Sequence, residues 1–336
     1  MRIGAAGIKS PNAAAGSAGA NDTVVNSNTA CGINAQATGN NNSTAVGSAA
    51  GATGNHSTAV GGDSVANDLD TTAIGYNAQA TANGASAVGG GPGATNAAHA
   101  SGENAVAIGG GSGDNAAAHG ANAVGTGAIA AGQGSDATQT GNVAIGLNSS
   151  ATATSATATG YGAAALGANA TAYGQGSSAG AGRSTAMGSG ASAAFYNSAA
   201  FGYGAQATRA DQQVFGTSSN TYTMPGLTSA GSSAAQNGPL ALVTTDQGGN
   251  MAADMGLYDQ IGENQQGVAM AMALSNFWVP YGKTFAAGVN VGAWDGAWAI
   301  GANVGGQISE GVHITGGIAV SESGMVGGRA GGVFSW

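Results

Sequence analysis

The chain has 336 residues, 64 of them Gly, with only 6% charged and a net charge of −9. Length alone allows two ordinary domains, but the hydrophobic share is mostly Ala, so the first 250 residues cannot build a conventional core of Leu, Ile and Phe. The six strong cations, Arg2, Lys9, Arg183, Arg209, Lys283 and Arg329, are scattered; with no basic patch to meet phosphates, nucleic-acid binding is not expected.

Low charge with 43% hydrophobic residues argues against a solvated, disordered chain. Cys31 is the single cysteine, so no disulfide framework or Cys-rich metal site can form within one chain. No run of 18 apolar residues exists, and no transmembrane helix is expected. The N-terminal stretch MRIGAAGIKSPN lacks an apolar segment of signal-peptide length. Either the chain stays inside the cell or its true start lies upstream. Residues 1–34 are read as an N-terminal segment, truncated in the second case.

From residue 35 the sequence repeats itself. The phrase STAVG stands at Ser43–Gly47 and again at Ser57–Gly61. The signature of Ala, an apolar residue and Gly ends at Gly47, Gly61, Gly75 and Gly89, each step being fourteen. It recurs at Gly109, Gly125, Gly146, Gly167, Gly188, Gly202 and Gly216, mostly at multiples of seven. Gly39, Gly54, Gly160 and Gly174 mark weaker half-repeats.

Seven residues suit a short strand and a tight turn. Small and apolar residues alternate within each phrase, as strands require, and Gly at fixed phase suits the turn. Two strands per fourteen residues make one turn of a β-solenoid, expected to bury a Val or Ile and a few Ala. That is too little apolar surface to offset ordering of the backbone in a single turn. Turns must therefore stack on one another, and pairing with other chains would add further burial. A Gly/Ala-rich linker is the competing reading, but linkers do not keep a bulky apolar residue in phase over eleven copies.

A helix is predicted over 251–276. Leu257, Ile261, Asn264, Val268, Ala271 and Ser275 follow the 4-3-4-3-4 spacing of a coiled-coil seam, with Asn264 as a register-setting polar residue. A single amphipathic helix explains the same spacing, and Gly256, Gly262 and Gly267 weaken both readings.

Four alternating segments follow Pro280: 283–293, 297–306, 311–320 and 325–336. In each, apolar residues such as Phe285, Val289, Trp298, Ile300, Ile314, Ile318 and Phe334 face one way. Gly, Ala and polar residues such as Gly292, Asn303, Thr315 and Arg329 face the other. Asp295-Gly296 signals a tight hairpin, and 321–324 is a polar loop. Bulky residues outside and small ones inside, over about ten residues, is the transmembrane β-barrel pattern. Trp278, Tyr281, Trp294, Trp298, Phe334 and Trp336 are placed as membrane-anchoring aromatics. Four strands cannot close a barrel, and edges cannot stay unpaired in lipid, so three chains giving twelve strands are expected. A soluble four-stranded sheet is the alternative.

These two parts together resemble the trimeric autotransporter adhesins of Gram-negative bacteria, of the YadA-like type. Residues 35–216 are similar to the YadA-type head, and 264–336, beginning NQQGVAMAMAL and including Pro280-Tyr281-Gly282-Lys283, to its membrane anchor. The resemblance implies an all-β fold in the main: a trimeric left-handed parallel β-roll head at 35–216 and a neck at 217–250. A short helix at 251–276 would enter the pore, and the anchor at 277–336 would give four strands to a 12-stranded barrel. It implies a homotrimer with outer-membrane lipid and the outer-membrane assembly machinery as partners. It implies a place on the cell outer membrane and surface, with adhesion by the head and export of the passenger through the anchor.

In that family, motifs of the form N-S-V-A-I-G-x-x-S are linked to collagen binding. Residues 104–112 and 141–149 approach it, which marks Asn104, Val106, Ile108, Ser112, Asn142, Val143, Ile145 and Ser149 as ligand-binding candidates. The same residues also read as ordinary rungs. Neither cofactor nor metal is expected. His56, His99, His119 and His313 lack metal-ligand spacing, the Ser residues have no His and acid partners, and no catalytic residues are assigned. A structural or ice-binding β-solenoid and a phage-type trimeric fibre are the alternatives, and each leaves the C-terminal barrel pattern unexplained.

Overall fold

The computed structural model describes residues 21–22, 28–112, 119–237, 240–254, 256–274 and 278–334. Most of segment 1–34, together with Ser275, Ser335 and Trp336, lies outside these residues. The chain divides into two units, Met1–Tyr222 and Thr223–Trp336.

The first unit is a coil of two thirteen-stranded parallel sheets. Three-residue strands, from Thr29–Cys31 to Gln213–Phe215, build one sheet; two-residue strands, from Asn21–Asp22 to Gln206–Ala207, build the other. Each strand pairs with its counterpart one turn on, as Thr44–Val46 does with Thr58–Val60. At about 4.8 Å per rung, the fourteen-residue repeat is one turn contributing one strand to each sheet.

Each letter of the repeated phrase has its own task. In residues 57–61, the Ser57 hydroxyl is buried and donates to the Gly54 carbonyl at 2.6 Å, closing the turn. Thr58 and Val60 point outward, and Ala59 between them is fully buried. Gly61 has φ +128°. Buried hydroxyls close other turns in the same way at Ser64, Thr71, Ser135, Ser149, Ser177, Ser184 and Ser198.

The core is therefore a ladder of Ala, and the expectation of a Val or Ile inside each turn is corrected. A three-residue strand alternates, so burying the central Ala sends both neighbours outward. Two sheets this close leave no room for a branched side chain on the enclosed rungs; Val214 takes the inner place on the last three-residue strand, where it is half-buried.

The phase of the glycines is also corrected. Gly160 and Gly174, read as half-repeats, end three-residue strands and are in phase with Gly146 and Gly188. Gly125 and Gly167, read as full repeats, follow two-residue strands and belong to the opposite sheet. Steps of twenty-one residues are thus one and a half turns. The first described turns run to fifteen residues, and two later ones are enlarged much further: Gln79 pairs with His99 and His99 with Asn122, shifts of 20 and 23 residues. Both extra lengths of sequence fall between a three-residue and a two-residue strand, at the same point of successive turns.

In the second unit, Leu242–Thr245 pairs antiparallel with Met251–Asp254. The helix spans Gly256–Ala273, so the predicted start at 251 is corrected. Asp246 closes the hairpin by accepting from the Asn250 amide at 2.9 Å, and Asp254 accepts from the Gly256 amide at 2.8 Å. These carboxylates hold 251–254 extended.

Four antiparallel strands complete the unit, at Phe285–Trp294, Ala297–Ser309, Val312–Ser321 and Val326–Phe334, in sequential order. The Asp295-Gly296 turn has positive φ at both residues, as a two-residue hairpin demands.

Candidate functional site

On the outer face of the three-residue strands, register stacks one residue per turn into a column. It runs Cys31, Val46, Val60, Ile74, Val88, Ile108, Ala131, Ile145, Thr159, Tyr173, Met187, Phe201 and Phe215. Ile108 is 48% exposed and Ile145 43%. At the far end the Phe201 and Phe215 rings stack at 5.1 Å. A stripe of mainly apolar residues, interrupted by Thr159, along a coil whose interior is Ala is the mark of a surface made to be covered.

The ligand candidates divide. Val106 and Val143 are half-buried; Ile108 and Ile145 stand in the column, two rungs apart. Asn104 and Ser112 are exposed, Asn104 with φ +55° at a turn. Asn142 and Ser149 are fully buried, which corrects their placing among surface contacts. The Asn142 amide donates to the Ala151 carbonyl at 2.6 Å and accepts from the Ala156 amide at 3.0 Å. Asn28 clamps its own rung alike, on Ala37, Gly39 and Ser43. Asn142→Ala is expected to strand two buried backbone groups and cost roughly 1–3 kcal/mol, read as a lowered urea midpoint. An unchanged midpoint would mean that the clamp contributes nothing.

A second surface lies in the C-terminal unit. The helix presents Gln265, Gln266, Ala269, Met270, Ala273 and Leu274 to the small-residue face of the sheet. Gly292, Gly301 and Gly317 form its seat: a Cβ at Gly292 would lie 2.1 Å from the Ala269 carbonyl oxygen. Two inward side chains cap the last carbonyls of the helix. Asn303 donates to the Ala273 oxygen at 3.1 Å and Arg329 to the Leu274 oxygen at 3.0 Å. Gln265 donates to Asp295 at 2.7 Å, and Gln266 accepts from Ser321 at 2.7 Å and from Ser323.

The seam residues point away from this contact. Leu257, Ile261, Asn264 and Val268 are all exposed. The opposite sheet face is bulky and uncovered, with Phe285, Val289, Trp298, Ile300, Ile318, Val326 and Phe334 exposed. Trp278 and Tyr281 precede the first strand and are exposed. Trp294 pairs with Ala297 at the hairpin end and, by the pleat, takes the small-residue side, opposite Trp298. Trp336 lies outside the described residues.

Sequence reading missed the outward direction of the column and the polar network joining His99 to His119. The first was legible in the Thr that flanks each Ala: Thr and Val must share a face. Among the described residues, no group of three His, Cys, Asp or Glu is placed to hold a metal ion.

The YadA head domain repeat family matches residues 40–64, 69–91, 96–112, 143–163, 158–180 and 179–205. No curated protein matches the chain. Among solved structures, the collagen-binding domain of Yersinia adhesin YadA aligns at 20% identity with a TM-score of 0.24, covering 62% of this chain and 84% of that one. The repeat matches carry the assignment. Six of them, laid along one continuous coil, show that the first unit is built from YadA-type head repeats.

Proposed function

We propose that three copies associate through the apolar column into one head, and that their C-terminal sheets close a twelve-stranded barrel in the outer membrane. The observation that carries this is the C-terminal sheet, bulky and bare on one face and small and helix-covered on the other. Bulky residues suit lipid, and two open edges cannot remain so within it. Three helices with exposed seams would share the pore. The domain limits expected from sequence serve this reading: a left-handed β-roll head, a neck, a pore helix and an anchor that exports and then holds the passenger.

In this arrangement Ile108 and Ile145 meet sister chains, while Asn104 and Ser112 stay accessible to a ligand. Residues 104–112 approach the motif linked to collagen binding in the adhesins this chain resembles, so a collagen triple helix is the first ligand to test. Aromatics at Trp278, Tyr281, Trp298 and Phe334 would hold the anchor at the lipid interface.

The test is expression behind a secretion signal in a Gram-negative host. Outer-membrane fractions, run unheated and strongly heated on SDS gels, should show a heat-sensitive trimer, and protease should shave the head from intact cells. A soluble monomer would refute the barrel. The paired change Val88→Asp with Ile108→Asp, on adjacent rungs, should then leave the anchor trimeric but open the head to protease. Each buried, unpaired carboxylate opposes association by roughly 2 kcal/mol or more. A head as resistant as wild type would place the trimer contact elsewhere.

A further inference from the structure

One corner of the coil changes character over its last turns. It lies after each two-residue strand and before the next three-residue strand, at the opposite end of that strand from the apolar column. On the regular rungs before, it carries small or polar residues: Gln139-Thr140, Ala153-Thr154 and Gly167-Ala168. One rung after Ala181-Gly182 the same two places hold Phe195 and Tyr196, and on the rung beyond they hold Arg209 and Ala210. Arg183 follows Gly182 at the tip of its turn. Among the described residues of the first unit, Arg183 and Arg209 are the only Lys or Arg.

The coil backbone holds these exposed residues in order. Arg183 has φ +60°, a left-handed conformation that Asn and Asp adopt more readily, and Asn169, Asn197 and Asp211 adopt it at the same place on neighbouring rungs. The Arg183 amide donates to the Ala168 oxygen at 2.8 Å, and the Asn197 amide to the Gly182 oxygen at 3.0 Å. The Tyr196 ring lies along Gly182, where an added Cβ would stand 3.6 Å from it. The Arg183 guanidinium sits 5.7 Å from the centre of that ring, a cation against an aromatic face. Phe195 is 41% exposed and Tyr196 52%. Asp211 is the acidic residue of this corner, and the Asn197 amide nitrogen Nδ2 donates to one of its oxygens at 2.8 Å. Three successive rungs thus present a cation, an aromatic pair and a second cation, the outer rungs being about 10 Å apart.

We propose that this corner binds an acidic polysaccharide in which carboxylated sugars alternate with neutral ones. A pyranose ring has an apolar face of C–H groups that packs on an aromatic side chain. A guanidinium takes a carboxylate through two parallel N–H bonds, a geometry that Lys cannot offer. The order of cation, aromatic pair and cation matches the order of acidic, neutral and acidic sugar. The rungs before it carry acidic residues, Asp63, Asp68, Asp70, Glu103 and Asp136 among them. They repel a polyanion, so attraction is confined to this corner. The site is complete within one chain and separate from Asn104 and Ser112, so it stands whether or not the trimer and the collagen reading hold.

The test is surface plasmon resonance of the purified full chain over immobilised hyaluronan oligosaccharides, with neutral dextran and sulfated heparin as comparison surfaces. Wild type should bind hyaluronan and not dextran. Arg183→Asn and Tyr196→Ala introduce residue types that the coil already carries at those places, in Asn169 and Ala168, so the circular dichroism spectrum should not change. Each should weaken hyaluronan binding by about tenfold. Tyr196→Ala keeps every cation, so a purely electrostatic attraction would leave its binding at wild-type strength, and that result would overturn the proposal. Absence of hyaluronan binding by wild type would overturn it without any variant being needed. Binding to heparin alone would overturn the assignment of a carboxylated ligand.

Discussion

Replacing Gly146 by Ala is expected to unfold the head locally, at a cost of roughly 3 kcal/mol or more. Gly146 has φ +128°, a backbone region open essentially to Gly alone. Its added Cβ would also lie 2.5 Å from the Gly160 carbonyl oxygen, a main-chain atom that cannot swing away. Gly160 stands the same way to Gly174, and Gly174 to Gly188, so relief in one rung compresses the next. The control is Gly162→Asn. Gly162 has φ +63° and nothing within 4 Å of a Cβ, and Asn148 holds the equivalent turn one rung earlier with φ +56°. Urea or thermal unfolding followed by circular dichroism should show a large loss for Gly146→Ala and less than about 1 kcal/mol for Gly162→Asn. Similar losses for the two would mean that the glycine ladder is not what sets the rung spacing.

Gly301→Val should unseat the helix. A Cβ at Gly301 would stand 2.5 Å from the Ala273 oxygen and 3.1 Å from the Ala273 Cβ. The Ala273 oxygen is also what Asn303 binds, so the helix cannot lift without losing its cap. The combined clash and lost cap belong to the severe class of core substitutions, about 3–5 kcal/mol. Gly306→Val is the matched control, since its Cβ would meet its nearest neighbour, the Thr284 oxygen, at an ordinary 3.9 Å. The readout is cleavage by protease within 256–274, together with the yield of heat-sensitive trimer in outer-membrane fractions. Equal behaviour of the two variants would show that the helix does not rest on this glycine.

Much of this molecule could be read directly from its residues. Periodicity gave the coil, because a stacked turn must present the same residue type at the same place each time. The four C-terminal strands, their faces and the Asp295-Gly296 hairpin followed from a period of two and from turn chemistry that admits few residues. The YadA-like resemblance rested on the same regularities.

What the sequence could not decide was direction and meeting. Ala45 and Val46 are both apolar, and composition alone favours burying the larger; only the close approach of the two sheets makes Ala the inner residue and turns Val outward. Asn142 reads as a surface polar residue until the Ala151 and Ala156 backbones close on it. His99 and His119 are twenty residues apart in a stretch of unequal turns. Stacking links them, His99 through the Asn122 amide and His119 directly, to Asp136, because His99 pairs with Asn122 and Asn122 with Asp136. Local pattern fixes which residues repeat. Packing distance between sheets, set by the smallest side chains, fixes which of them a partner can touch.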